Sequence, residues 1–176
     1  MSKSAAEHKA KAPIRLRFAL LTISTSRYEE VKAGKSPENP SGEIITKLLE
    51  EAGHKIVYSD LVTDDSSPIG RSLKKIVEMP EVEAVITFGG TGITKTDVTI
   101  ETVTPLLDKE LPGFGEIFRK LSYDDIGSAA IITRATAGLI AGKAVFCLPG
   151  SPQAVELAVK KLIIPEVGHM VKHARD

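Results

Sequence analysis

Ala84-Val85-Ile86-Thr87-Phe88 runs without a break into Gly89-Gly90-Thr91-Gly92-Ile93-Thr94-Lys95-Thr96-Asp97. The first five residues have the length and apolar continuity of a strand buried on both faces. Val98 to Val103 then reads as the opening of a helix. Three glycines at such a junction let the backbone adopt φ > 0 and approach an anion closely, so that N–H groups converge on it. The helix that follows adds its positive N-terminal end. Four residues reading GGTG fit an ordinary glycine-rich turn equally well, because short motifs recur by chance. The rest of the chain has to decide between them.

Upstream, residues 1–13 are small, polar and basic (Lys3, His8, Lys9, Lys11), which predicts a flexible arm ahead of a single domain over 14–176. Phe18 to Ser24 is a second continuous apolar run of strand length. Thr25 to Pro40 is polar and rich in Ser, Lys, Gly and Pro, and reads as a long loop. Its Gly34-Lys35-Ser36 is not a Walker A motif, since Glu29 stands where the first glycine belongs. Ser41 then caps a helix, with Gly42 next and Ile44, Ile45, Leu48 and Leu49 along one face, and Gly53 stops it. Lys55 to Ser59 is a strand, and Ser66 or Ser67 opens an amphipathic helix through Leu73, Ile76 and Val77, which Pro80 ends. Downstream, a helix is predicted from Thr99 to about Leu107, a turn at Leu111 to Gly115, and a short helix from Glu116 to Leu121. Ala129 to Thr133 and Ala144 to Leu148 read as buried strands, the latter followed by Pro149-Gly150-Ser151-Pro152 and a helix from Gln153 to about Lys161.

Apolar strands alternating with amphipathic helices predict a three-layer αβα fold, a mostly parallel doubly wound sheet with helices on both faces. Ligands in such sheets bind beyond the carboxyl ends of the strands. Ser24-Thr25-Ser26, Asp64-Asp65, Gly89 to Gly92, Thr133-Arg134 and Pro149 to Pro152 should therefore crowd one edge.

The composition narrows the function. Lys+Arg and Asp+Glu balance at 23 each in 176 residues, so no global field points to nucleic acid or to an anionic membrane. No apolar run reaches the roughly 18 residues of a membrane span, and no signal-peptide pattern opens the chain. The single cysteine, Cys147, lies in an apolar run and reads as a buried structural thiol in a cytoplasmic protein. Lys95 occupies the third glycine position of a dinucleotide fingerprint, and no zinc-protease or serine-hydrolase motif is present. His169 and His173 are four apart near the chain end, with no carboxylate partner evident, and read as a solvated pair.

What remains at the predicted edge is an anion cradle, carboxylates at Asp64 or Asp65 and at Asp97, cations at Lys95 and Arg134, and hydroxyls at Thr91 and Ser151. Carboxylates beside a phosphate repel it unless a cation lies between them. Mg²⁺ meets that need, taking one or two protein carboxylates plus phosphate oxygens. This is the equipment of phosphoryl or nucleotidyl transfer. The competing structural roles are a helix N-cap for Asp97 and a turn or helix-entry carboxylate for Asp64.

The pattern resembles the MoaB/MogA family of molybdenum-cofactor biosynthesis proteins, from about Phe18 to Val167. The resemblance is carried by Thr22-Ile23-Ser24, Ser41-Gly42, Ala52-Gly53-His54, Val62-x-Asp64-Asp65, Gly89-Gly90-Thr91-Gly92 with Asp97-Val98-Thr99-x-Glu101, Leu111-Pro112-Gly113-Phe114 and Leu148-Pro149-Gly150-Ser151-Pro152. It implies a molybdopterin adenylyltransferase in molybdenum or tungsten cofactor synthesis, which uses Mg²⁺ and ATP and releases pyrophosphate. It also implies a trimer or dimer of trimers. It matches Asp64 and Asp97 to the catalytic and metal-binding aspartates. The GGTG loop matches the nucleotide-phosphate region, and Ser24, Ser41, Gly42, Arg134, Pro149, Gly150 and Ser151 complete the nucleotide and pterin contacts. Two positions depart from the family pattern: Thr25 and Asn39 stand where many members carry aspartate. An inactive molybdopterin-binding or carrier protein is therefore the alternative.

Overall fold

The computed structural model describes residues 15–175, so the N-terminal arm expected over 1–13 lies outside the described residues. Its strands are β1 (Arg17–Ile23), β2 (Lys55–Val62), β3 (Ala84–Phe88), β4 (Lys109–Glu110), β5 (Thr136–Ile140) and β6 (Lys143–Leu148). Its helices are α1 (Thr25–Lys32), α2 (Pro40–Glu51), α3 (Ser66–Glu78), α4 (Thr99–Val103), α5 (Pro112–Ile126), α6 (Pro152–Ala158) and α7 (Ile164–Arg175). The strands form one sheet in the order β2-β1-β3-β6-β5-β4, parallel from β2 to β6 and antiparallel at β5 and β4. No helix among the described residues is long and apolar enough to cross a membrane.

The two-residue period of a strand sorts the core into two layers. Phe18, Leu20, Ile86, Phe88, Phe146 and Leu148 face Ile45, Leu49, Phe118, Val155 and Val167 from α2, α5, α6 and α7. Ala19, Leu21, Ile23, Val85, Val145 and Cys147 face Ile69, Leu73, Ile76 and Val103 from α3 and α4. Both faces of the central strands are covered, which is why they read as unbroken apolar runs. Cys147 is fully buried as expected, and burial pushes its thiol up to about 12.

Several elements differ from the sequence reading. Thr25 to Lys32 is a helix, not a loop: Ser24 accepts from the Arg27 amide and caps it, while no residue in it is buried. A helix without an apolar stripe leaves no periodic signal. Helix α2 is capped by Asn39, whose Oδ1 accepts from the Gly42 amide at 3.2 Å, with Pro40 at the first helical position; Ser41 lies inside the helix. Strand β2 continues past Ser59 to Val62, and α5 is a 15-residue helix that begins at Pro112, within the expected turn. The expected helix to Leu107 stops at Val103 and tightens into a 3₁₀ turn over Thr104–Leu106. The expected strand at Ala129 to Thr133 is a 3₁₀ segment, Gly127–Ile132, with Ile131 86% exposed. A short apolar run does not by itself distinguish a buried strand from an exposed apolar segment. The last expected helix begins at Pro152 and continues past Lys161 through a π-helical turn, Val159–Ile163, to Arg175.

At the edge where the parallel strands begin, Glu83 accepts from the Arg17 amide at 3.0 Å, the Arg17 guanidinium at 3.3 Å and Arg175 at 2.7 Å. Burial pushes the Glu83 carboxyl up, but these donors outweigh it and hold it below the ordinary range. Glu83→Gln is expected to cost about 1–2 kcal/mol in chemical denaturation, a buried-pair effect reduced by the exposure of both arginines. A depressed carboxyl stabilises fully above its unfolded value near pH ~4.3 and loses that contribution as pH falls through the folded value. The variant should lack this acid-side loss.

Candidate functional site

The carboxyl ends of β1, β2, β3 and β6 meet at one edge, as expected. Thr133-Arg134 also arrives there, by an unexpected route: β5 is antiparallel, so its beginning sits beside the end of β6, with Thr136 opposite Cys147. The glycine-rich loop occupies the middle of this edge. Gly89 has φ +105°, and a Cβ there would overlap the Ile23 carbonyl oxygen at the end of β1. Gly90 has φ +61°, and a Cβ there would stand 2.9 Å from Asp64 Oδ1. The loop is tied down by its own backbone and by Thr99. The Gly89 amide donates to Leu148, the Thr99 amide to Gly90 at 2.9 Å, and the Thr99 hydroxyl to the Gly89 carbonyl at 2.8 Å.

Neither candidate aspartate caps a helix. Asp65, not Asp64, caps α3, accepting from the Ser67 amide, and Val98 precedes α4 without a side-chain cap. Asp64 instead faces Thr25. Its Oδ2 accepts from the Thr25 amide at 2.7 Å and the Thr25 hydroxyl at 2.9 Å, while the Asp64 amide donates back to that hydroxyl at 3.0 Å. Thr25, one of the two residues that depart from the expected pattern, is therefore the one that holds Asp64 in place. Asp97 Oδ2 accepts from the Thr94 amide at 2.9 Å and the Thr94 hydroxyl at 2.6 Å. Burial pushes the Asp97 carboxyl up, but the donors from Thr94 and Gly92 and the charge of Arg134 hold it below the ordinary range. It is thus anionic throughout the neutral range.

Arg134 reaches the loop from behind rather than standing free. Its Nε donates to the Thr91 carbonyl at 2.8 Å, and its two terminal nitrogens hold Glu101 at 2.5 and 3.1 Å. These hydrogen bonds to Glu101 raise the Arg134 pKa and lower that of Glu101. Thr91 is only 3% exposed and Lys95 is exposed. Ser41 donates to the Gly150 carbonyl at 2.7 Å, joining α2 to the Pro149–Pro152 turn, and a Cβ on Gly150 would meet Gly89 Cα at 3.3 Å. Gly42 packs against Asn39, which also donates to Thr22. Ser24 and Ser151 both serve as helix caps, Ser151 accepting from the Ala154 amide at 3.4 Å. Beside Ser151 opens a cavity of about 580 Å³ bordered by Ser122, Asp125, Ile126, Thr133 and Pro149.

The donor set suits a hard divalent ion. Two carboxylates stand at a glycine backbone, each with one oxygen fixed by hydroxyl and amide donors, and Gly90 lacks the Cβ that would crowd Asp64. Among the described residues no three His, Cys, Asp or Glu side chains converge as a complete metal cage. An ion here would draw its remaining ligands from phosphate oxygens and water, which is the usual habit of Mg²⁺. The roles of Thr94 and Glu101 were missed in the sequence. Thr94-x-x-Asp97 was readable as a local hydroxyl-carboxylate pair, whereas the Glu101–Arg134 contact spans 33 residues and had no local signal.

A family model described as "Probable molybdopterin binding domain" matches residues 19–169. The molybdenum cofactor biosynthesis protein B of Bacillus subtilis is 49% identical over 173 residues, covering 98% of each chain. The molybdopterin adenylyltransferase of Pyrococcus furiosus is 41% identical over 174 residues, 97% of this chain and 98% of its own. A crystal structure of a molybdenum cofactor biosynthesis protein B superposes with a TM-score of 0.85 at 46% identity, covering 94% of this chain and 99% of that one. Matched nearly end to end in sequence and fold, the chain belongs to the MoaB/MogA family of molybdenum-cofactor biosynthesis proteins.

Proposed function

We propose that this protein adenylylates molybdopterin with Mg-ATP in molybdenum or tungsten cofactor synthesis. The observation that carries the reading is the pair Asp64 and Asp97: each is fixed by threonine donors beside a glycine loop, and neither caps a helix. Asp97 would anchor Mg²⁺ with Asp64 as its second ligand. Mg²⁺ would supply charge neutralisation at the reacting phosphates. A phosphate oxygen of molybdopterin forms a new bond to the α-phosphorus of ATP, and the bond to the β-phosphate oxygen breaks as pyrophosphate leaves with the electron pair. The chain's own work is positional. Gly89 and Gly90 keep the floor open to phosphate, Arg134 and Glu101 brace the loop, and Thr25 and Thr94 aim the carboxylates. The cavity beside Pro149 and Ser151 offers the mixed polar and apolar wall that a flat pterin needs.

The working form is a homotrimer or a dimer of trimers in the cytoplasm. An exposed apolar set on α5 and the 3₁₀ segment, Ile117, Tyr123, Ile126, Ile131 and Ile132, supports assembly through that face. The alternative, a carrier without transferase activity, rests on the carboxylates absent at Thr25 and Asn39, the latter residue taken up in capping α2. The hydrogen bonds from Thr25 to Asp64 favour the enzyme. Purified protein incubated with molybdopterin and Mg-ATP should yield adenylylated molybdopterin and pyrophosphate one for one. Bound pterin without AMP transfer would overturn the enzyme in favour of the carrier.

A further inference from the structure

From the sequence, His169 and His173 read as a solvated pair without a carboxylate. The pair is exposed as expected, but a carboxylate stands beside it. The two imidazoles lie one turn apart on α7, their Nε2 atoms sharing a hydrogen bond at 2.8 Å and their ring centroids 4.6 Å apart. Glu166, one turn earlier, places Oε2 3.7 Å from Nδ1 of His169. We propose that this face of α7 binds one borderline divalent transition-metal ion, Cu²⁺ foremost, chelated by the Nε2 atoms of His169 and His173.

Imidazole nitrogens sit about 2.0 Å from such ions. Two of them at adjacent corners of a square plane are then separated by about 2.8 Å, whereas tetrahedral corners are about 3.3 Å apart. The hydrogen bond at 2.8 Å already brings the two nitrogens within the span of one ion, which would take the place of the shared proton, and Cu²⁺ leads the affinity order at nitrogen sites. A metal-bound His commonly turns its other ring nitrogen to a carboxylate, which fixes tautomer and orientation. Glu166 stands on that side of His169. His173 also lies in the last turn of α7, where the helix dipole favours a cation. Water would fill the remaining positions, since His173 is exposed.

The site is remote from the glycine-rich loop. Two residues beyond His173, Arg175 reaches Glu83, next to the start of β3, at the opposite edge of the sheet. Of the other two histidines, His54 accepts from the Leu16 amide through Nδ1 and is buried, and His8 lies outside the described residues.

The test is titration of the full-length protein with CuCl₂ in a non-coordinating buffer, followed by calorimetry and electron paramagnetic resonance. The expected result is one Cu²⁺ per chain with two imidazole nitrogens in the spectrum. His169→Ala or His173→Gln should weaken binding at least tenfold, Glu166→Gln should weaken it by a factor of several, and His8→Ala should leave it unchanged. Glu166, His169 and His173 are on the surface, and circular dichroism checks that the helix persists. Unchanged affinity in the His169→Ala/His173→Gln double variant, or loss of binding in His8→Ala, would overturn the proposal.

Discussion

Gly89→Ala is expected to destabilise the protein by about 3 kcal/mol and to abolish AMP transfer. Two independent costs meet at this residue. Its φ of +105° is a region L-residues avoid, at about 1–3 kcal/mol. Its missing Cβ also makes room for the Ile23 carbonyl, a backbone atom that cannot rotate away. Relief would require β1 and β3 to part at the centre of the sheet, where Thr22 pairs with Phe88. For a domain of this size each kcal/mol moves the midpoint by roughly 2–4 °C, so Tm should fall by about 10 °C. Gly34→Ala is the control. It has φ +78° and open space around the Cβ position, so only the conformational cost, about 1 kcal/mol, applies. Equal Tm losses in the two variants would remove the steric part of the argument.

Asp97→Asn is expected to lower AMP transfer by about 10²–10³-fold with little change in Tm. Asparagine keeps an oxygen to accept from the Thr94 amide and hydroxyl, so the loop keeps its shape. What it loses is the full negative charge that the donors around Asp97 hold in place through the neutral range. Single-turnover measurement with saturating ATP and molybdopterin separates that loss from weaker binding. Wild-type turnover in the variant would end the metal-anchoring role.

The parts of this protein legible in its sequence are those decided by local pattern. The central strands announced themselves because both of their faces are covered, and the glycine loop because strand, glycines and helix follow one another in the chain. Ile131 and Ile132 misled because an apolar run says only that water is avoided, and an exposed surface patch meets that description as readily as a core strand. Helix α1 was hidden for the opposite reason, since it buries nothing. Around the candidate site, the sequence offers the aspartates but not their tethers. Thr25 holds Asp64 across 39 positions and Arg134 holds Glu101 across 33, distances over which no periodicity can speak. In the sequence Thr25 counts as a lost carboxylate, because a missing charge is visible there and a gained hydrogen bond is not.

The floor where Gly89 meets Gly150 is made of main chain. Peptide groups are the same whatever side chains surround them, so such a floor is encoded by the absence of side chains at a few positions. The surrounding sequence is then free to drift without reshaping that floor, where the proposed reaction would rest its phosphates. In that reaction, discrimination between one heterocycle and another would fall to the walls of the neighbouring cavity, where Ser122, Asp125 and Thr133 stand. Grip and choice would then be inherited separately, and a new substrate could be admitted by changing the walls while the floor stays as it is.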